Sequence, residues 1–585
     1  MKFLFTAFLL ASFFNLILRG GSYSDISFAQ GGSLVLYLCL IFGISLCLAA
    51  VEVFVGKYKP VEWLMLLSSI GFSLGLVSGT PAKIQHHLYA GVVVVMAIII
   101  NYLVNNGIFD MLPENVGKKG TWGIIAVFAI GACAVVGAIG VYRYLTYAAP
   151  NYDFGIWCNM FHNMKETGVP NTTCERDVLL SHFAVHFSPI YYLMLPLYFV
   201  FPFPQTLQVL QTLILYSGVV PLCIMAKNKG LSDRATVALG AVYAFFPAIA
   251  TGTFYDLHEN CFLLPLLLWC FCFFEKRKYI PMSVFAALVL LVKEDAFIYL
   301  LIFAVYVFFL EKKKKVAIIL AASSLLYFIV VSSLMGAFGN GIMVGRYDNL
   351  IADSSDGLFG VVKTAVSNPG YLMTQLFVAK DGDNSKILYV FQLLLPLAFV
   401  PFATRKISRY ILIAPVLMNI ITMYVYQPNI RFQYSFGITA FLFYVAVLNL
   451  SELGEKTRKY VLSLSSVAAL LMFAMLAVGN LGYYSQRYEK EKESYQHMDY
   501  VLEQVLPEDA SVACSAFILP HIADRAEIYE VEYHKENGQY KTDTEYVVLD
   551  TRYKENCENA MDYYLENGYG EYHNDGGYVI ILKKK

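Results

Sequence analysis

The stretch NYDFGIWCNMFHNMKETGVP, residues 151–170, decides how this chain is read. It follows an apolar run, 121–143, long enough to cross a bilayer. Directly after that run the chain presents Asp153, and then apolar residues recur at Phe154, Trp157, Phe161 and Met164. His162, Asn163, Lys165 and Glu166 take the other faces, and Gly168 and Pro170 close the segment. Steps of three and four predict an amphipathic helix, and a large aromatic face beside a membrane span predicts that it lies in the membrane interface. Asp153 then has two readings. It can cap the helix, a role that stabilises by ~0.5–2 kcal/mol. It can also be a carboxylate stationed at a membrane-surface active site.

Working outward, the 585 residues are 58% hydrophobic and only 15% charged. Soluble domains are roughly 45–50% apolar and about 25% charged, so this composition belongs to a membrane protein. The net charge of −1 gives no global bias toward nucleic acid. The apolar residues fall in blocks near 3–18, 34–55, 61–79, 88–105, 121–143, 205–226, 233–252, 260–274, 280–292, 296–310, 316–336, 387–403, 409–426, 433–450 and 460–482. The first block is read as an uncleaved helix rather than a signal peptide, because further spans follow closely.

Basic residues punctuate these blocks at Lys57/Lys59, Lys118/Lys119, Lys227/Lys229, 275–278, 311–315, 405–409 and 456–459. Short cytoplasmic loops hold an excess of Lys and Arg. Placing all seven clusters inside requires an even number of spans in each interval, and the blocks obey this. The expected architecture is an all-α polytopic transmembrane protein of about 15 helices, with the N-terminus cytoplasmic. Residues 1–118 form a first group of four helices plus the approach to the fifth. Residues 119–482 form a core with outer loops at 144–204 and 337–386. The tail 483–585 mixes helical patterning with short β-rich runs such as SVAC and YVIIL, which predicts a small extracytoplasmic α/β domain. The pair of blocks at 280–310 is short for two full crossings and reads as a tight hairpin. No internal repeat or low-complexity linker stands out.

Four further polar sites share the outer face with Asp153. His182 and His186 are four apart, a spacing that can bind metal; the alternative is two interfacial histidines bonded to backbone or water. Asp256, His258 and Glu259 lie between two spans, Lys293 and Glu294 at the hairpin tip, and Arg431 in another turn. Charges at membrane depth cost ~2.5–3.5 kcal/mol even on the lenient scale, so they pair or line a polar cavity. The alternative is that each turn is simply solvated. Carboxylates can act as general base or hold a divalent cation, magnesium or manganese. Lys293 and Arg431 can bind a lipid-linked phosphate, Arg with a bidentate fork. No Walker, Rossmann, nucleophile-elbow or HExxH motif occurs. Most of the 11 Cys sit in apolar blocks as packing residues. Cys158 and Cys174 share the first outer loop and can pair.

YDFGIW, HFAVHFSPIYYLMLPLYFVFPFPQTLQVLQ, YDLHENCFLLPLLL, LLVKEDAF and the tail pattern ASVACSAFILPHIADRAEIYEV…TEYVVLD resemble, in that order, the predicted prokaryotic membrane proteins of domain-of-unknown-function family 2079. The likeness runs from about residue 120 to 550. That family is similar to the GT-C glycosyltransferases, such as protein O-mannosyltransferases and aminoarabinose transferases. The resemblance implies a GT-C-like helical core and a polyprenyl-phosphate-linked sugar as donor. It implies that Asp153 matches their first-loop acidic residue, as base or metal ligand, and that His186 and Pro189 match the entry to the second core span. Phe187-Ser188 departs from the proline found in many relatives. The expected function is an inverting integral membrane glycosyltransferase that moves the sugar to an acceptor on the extracytoplasmic side, with Asp153 catalytic and the other polar residues around the substrate. The competing expectations are a lipid or solute transporter and a membrane sensor or scaffold without catalysis.

Overall fold

The computed structural model describes residues 1–19, 23, 33–79, 82–341, 345–357, 359–379 and 385–585. The chain is a helical bundle carrying a small β-sheet domain at one end. Most of the fifteen expected apolar segments coincide with helix. Among the described residues ten helices are long and apolar enough to cross a membrane, and Tyr279–Leu290, Phe297–Phe309 and Ser385–Leu397 are shorter apolar helices. Helices suit this setting because every backbone group is satisfied within the segment. The first helix, Lys2–Arg19, packs into the bundle, with Lys2 Nζ 2.6 Å from Glu52 and 2.8 Å from Glu62.

One segment departs from expectation. The block 409–426 is not a continuous helix: a 3₁₀ turn over Ile407–Ile413 gives way at Pro415 to a helix that ends at Ile420. Proline lacks the N–H and clashes with the preceding turn, so an α-helix cannot run through it unbroken. Part of the expected outer loop 337–386 lies outside the described residues. The rest holds short helices over Phe359–Ser367 and Pro369–Gln375.

The basic clusters converge on one end of the bundle. Lys59 Nζ donates to the carbonyl of Asn106. Lys459 pairs with Asp110 at 2.5 Å, and Arg234 donates to the carbonyl of Phe109. Lys229 pairs with Glu275, whose carboxylate also accepts from Tyr444. Arg409 Nη1 reaches Glu452 at 3.0 Å. The short helices Tyr279–Leu290 and Phe297–Phe309 leave this end and return to it. Twelve and thirteen residues span only about 18–20 Å at 1.5 Å per residue, so their connecting turn, which carries Lys293 and Glu294, stays buried within the bundle.

At the opposite end, helix runs from Glu455 to Gln504 with a π turn at Ala474–Val478. The composition change at 483 therefore falls inside a helix rather than at its end. The segment kinks at Glu491, and its fifty residues are far more than the roughly 20 needed to cross a hydrocarbon core, so the polar half carries the chain on to the terminal domain. That domain is a five-stranded sheet in the order Ile528–Glu530, Val512–Cys514, Tyr546–Asp550, Val579–Lys584, Tyr569–His573. The first three strands are parallel and the last two antiparallel. Helix Lys554–Glu566 covers one face through Cys557, Ala560 and Tyr564.

Candidate active site

The segment around Asp153 is a five-residue π-helical turn, Asn151–Gly155, leading into the helix Ile156–Thr167. Gly168 ends that helix at φ 77°, a left-handed conformation glycine adopts without a side-chain clash. The expected aromatic face is buried, with Trp157, Phe161 and Met164 all in the core. On the other faces Glu166 and Thr167 stay exposed, while Asn159 Nδ2 donates to the carbonyls of Ala523 and Arg525 at 2.9 Å, so the terminal domain covers part of this side. Gly155 permits this contact: a Cβ there would stand 2.6 Å from Leu519 Cδ2 and from Asn151 Oδ1.

Asp153 does not cap the helix. No side chain caps its N-terminus, and the carboxylate instead reaches His258 Nε2 at 3.4 Å. Single π turns inside helices recur at functional sites. His258 is brought there by the turn 252–258, whose backbone is strained. Asp256 sits at φ +77°, a region that non-glycine residues seldom occupy. Its carboxylate is held by Arg143 Nη2 at 3.2 Å and Gln208 Nε2 at 2.8 Å. Gln211 then clamps the turn twice, donating to the Asp256 carbonyl and accepting the His258 N–H, both at 2.9 Å. Burial alone would lower the His258 pKa; the Asp153 carboxylate raises it above the ordinary value, with Glu259 adding to the effect.

Asp153 and His258 open into a cavity of about 500 Å³ between the bundle and the terminal domain. Lys293 and Arg346 line it as well. Lys293 Nζ is 2.8 Å from Glu259 Oε1, and Tyr191 OH donates to the other oxygen of Glu259 at 2.8 Å. The Lys293 charge is therefore offset. Arg346 is different: its guanidinium lies 5.1 Å from the Tyr424 ring centroid and 5.0 Å from that of Tyr434. No carboxylate among the described residues stands within ion-pair distance of it. His186 also lines the cavity, its Nδ1 held at 2.8 Å by Glu294 Oε1. Asn151, Glu175, Glu530 and Tyr533 line it too, the last two from the terminal domain.

The structure thus brings together Asp153, His186, His258, Glu259 and Lys293, and leaves four expected residues in other places. Arg431 is exposed and outside the cavity wall, although its neighbours Phe432 and Gln433 line it. Asp256 is buried beneath the wall as the anchor of the turn. Glu294 stands behind His186, beside a second cavity of about 120 Å³. His182 is buried, bonded to Glu175 at 2.9 Å and edge-on to Trp157. His182 and His186 each bond through Nδ1 to a different glutamate, Glu175 and Glu294. Among the described residues no group of three or more His, Cys, Asp or Glu side chains is placed to hold a metal ion, so the magnesium or manganese site has no matching donor set there. Cys158 and Cys174 are both buried and unbridged.

Arg346, Tyr255 and Glu530 were not legible in the sequence. Arg346 is a lone base in a polar loop, which has no periodicity to mark it. Tyr255, which lines the cavity, is the first residue of the YDLHEN run, and that is the one signal that could have found it.

The sequence profile of the family described as Predicted membrane protein (DUF2079) matches residues 143–580, well over half of the chain. No curated protein matches. Among solved structures, the fold aligns with ArnT from Cupriavidus metallidurans bound to undecaprenyl phosphate, at 12% identity and a TM-score of 0.46, covering 79% of this chain and 98% of that one. The apo state of the same protein aligns at 12% identity over the same shares, with a TM-score of 0.42.

Proposed function

This chain belongs to the Predicted membrane protein (DUF2079) family, and we propose that it works there as an integral membrane glycosyltransferase, moving a sugar from a polyprenyl-phosphate carrier to an acceptor on the extracytoplasmic side. The observation that carries this reading is one cavity lined both by a carboxylate–imidazole pair and by a guanidinium with no carboxylate at ion-pair distance among the described residues. The charge arrangement suits a donor whose phosphate faces Arg346 and an acceptor whose hydroxyl faces Asp153.

Asp153 takes the proton from the acceptor hydroxyl, and His258 holds the carboxylate in place. The acceptor oxygen forms its bond to the anomeric carbon as the bond from that carbon to the phosphate oxygen breaks. The electron pair leaves on the phosphate, whose charge Arg346 stabilises with a fork that fits two oxygens. Attack opposite the leaving group inverts the anomeric centre. No step passes through a metal ion. The basic end of the bundle is cytoplasmic in this reading, and the cavity and terminal domain are extracytoplasmic.

The test is transfer by the purified protein in lipid, with polyprenyl-phosphate sugars as donors, comparing wild type with Asp153→Asn. General acid–base groups contribute roughly 10²–10⁴-fold, so Asp153→Asn is expected to lower kcat by at least about 100-fold while carrier binding persists. Equal turnover in both proteins removes Asp153 from the chemistry. No turnover with any donor favours a transporter or scaffold.

A further inference from the structure

The helices Asp233–Ala244 and Glu455–Phe473 both start at the basic end of the bundle and pack against each other. Both line a cleft of about 320 Å³. Arg234, Ala238 and Ala241 border it from the first helix, and Arg458, Leu462 and Ser466 from the second. Steps of three and four put each set on one helix face. Leu66 and Ile100, from the first group of helices, and Phe128, from the span Gly117–Leu145, line it as well.

The cleft is charged at its mouth and apolar in its depth. Arg234 and Arg458 stand in the first turns of their helices. Ala241 and Val467 lie farther along, roughly 10 and 14 Å deeper at 1.5 Å per residue. The two guanidiniums are bonded to neutral groups. Arg234 Nη1 donates to the carbonyls of Phe109 and Leu112 at 2.5 and 2.9 Å, and Arg458 Nη1 to that of Leu450 at 3.4 Å. Neither has a carboxylate at ion-pair distance among the described residues. Lys459 differs, since Asp110 and Glu455 both pair with it. Glu114 completes the mouth: its carbonyl accepts the Arg234 N–H at 3.1 Å, yet its exposed carboxylate meets no cation at ion-pair distance among the described residues.

A guanidinium without a carboxylate suits a phosphate, which can accept two of its N–H bonds. A carboxylate without a cation suits an ammonium, which only donates. An apolar channel beneath both suits an acyl chain, and basic pockets between spans near a membrane face hold lipid head groups. A water-soluble phosphate would leave the apolar depth unfilled, and a fatty acid would leave Glu114 unmet. We propose that the cleft binds an aminophospholipid of the adjoining leaflet. Its phosphate rests on Arg234 and Arg458, its ammonium on Glu114, and one chain runs between the two helices past Ala238. The site is at the opposite end of the bundle from the Asp153 cavity, so the proposal stands or falls apart from the chemistry there.

The experiment is native mass spectrometry of the full chain, delipidated in detergent and titrated with phosphatidylethanolamine, phosphatidylglycerol or phosphatidylcholine of matched chains. The first lipid is expected to bind the wild type about tenfold more tightly as phosphatidylethanolamine than as phosphatidylcholine, whose quaternary head donates no hydrogen bond to Glu114. Glu114→Gln is expected to erase that preference. Arg458→Ala is expected to weaken all three lipids, and Ala238→Trp, which fills the cleft, to abolish binding of the first one. Glu114 is exposed, so its amide variant gives a readout even where Ala238→Trp fails to fold. Tighter binding of phosphatidylglycerol than of phosphatidylethanolamine overturns the proposal. So does equal binding of phosphatidylethanolamine and phosphatidylcholine, or a Glu114→Gln protein that keeps the wild-type preference.

Discussion

The Asp153 carboxylate stands 3.4 Å from His258 Nε2, a pairing that residue type alone did not require. The carboxylate is free for that pairing because the helix behind it begins without a side-chain cap. Arg346 and Arg431 make a second contrast at this scale. Both are arginines near the same end of the bundle, yet Arg346 lines the cavity and Arg431 is exposed outside it. If Arg346 receives the carrier phosphate, Arg346→Ala is expected to weaken binding of undecaprenyl phosphate at least tenfold, measured by titration in nanodiscs. Arg431→Ala is expected to bind as the wild type does. The reverse pattern would move the phosphate to the exposed turn.

Among the elements, the turn 252–258 matters most, because it stores strain to aim one histidine. Its anchor is the buried pair of Asp256 with Arg143. Removing one partner of such a pair leaves the other charge uncompensated, at a cost of roughly 3–5 kcal/mol. Asp256→Ala is therefore expected to destabilise the fold by an amount in that range, read as a lower unfolding midpoint in detergent. Gln211→Ala, which frees the turn while keeping the ion pair, is expected to cost less stability and to lower activity more. The strand Ile528–Glu530 carries a pH dependence of its own. Burial raises the Glu530 pKa, and the bond from Asn151 Nδ2 at 3.0 Å only partly offsets this. The folded state thus holds the Glu530 proton more tightly than the unfolded chain does. Its contribution is present below the unfolded value of about 4.3 and is lost as pH rises through the folded value. Replacing Glu530 with Gln is expected to remove that loss, seen as a flatter dependence of the unfolding midpoint on pH above about 4.

Across the whole molecule, two ends of opposite character define the function. One gathers the lysine and arginine clusters into ion pairs; the other holds the cavity beneath the terminal domain. The reading that the basic end is cytoplasmic predicts which side single cysteines will face. In a background without accessible native thiols, a cysteine at Lys312 is expected to react only after the membrane is permeabilised. One at Glu558 is expected to react with an impermeant reagent from outside, as measured by mass shift. Both reacting from the same side would undo the extracytoplasmic placement.

Composition, block length and basic punctuation were enough to specify a polytopic helical protein with a small α/β tail, because a bilayer core admits few structures and demands long apolar runs. The run of aromatic steps after Asp153 likewise fixed a helix, its buried face and its glycine stop. Sequence did not decide what covers the other face of that helix, since a polar face pointing at water and one bonded to a later domain use the same residues. It did not separate Asp153 as cap from Asp153 as partner of His258, which lies more than a hundred residues away. Nor did it show that Arg346, and not Arg431, lines the cavity. Which charges meet in one cavity depends on how distant turns are brought together by packing, and only the tertiary structure carries that information.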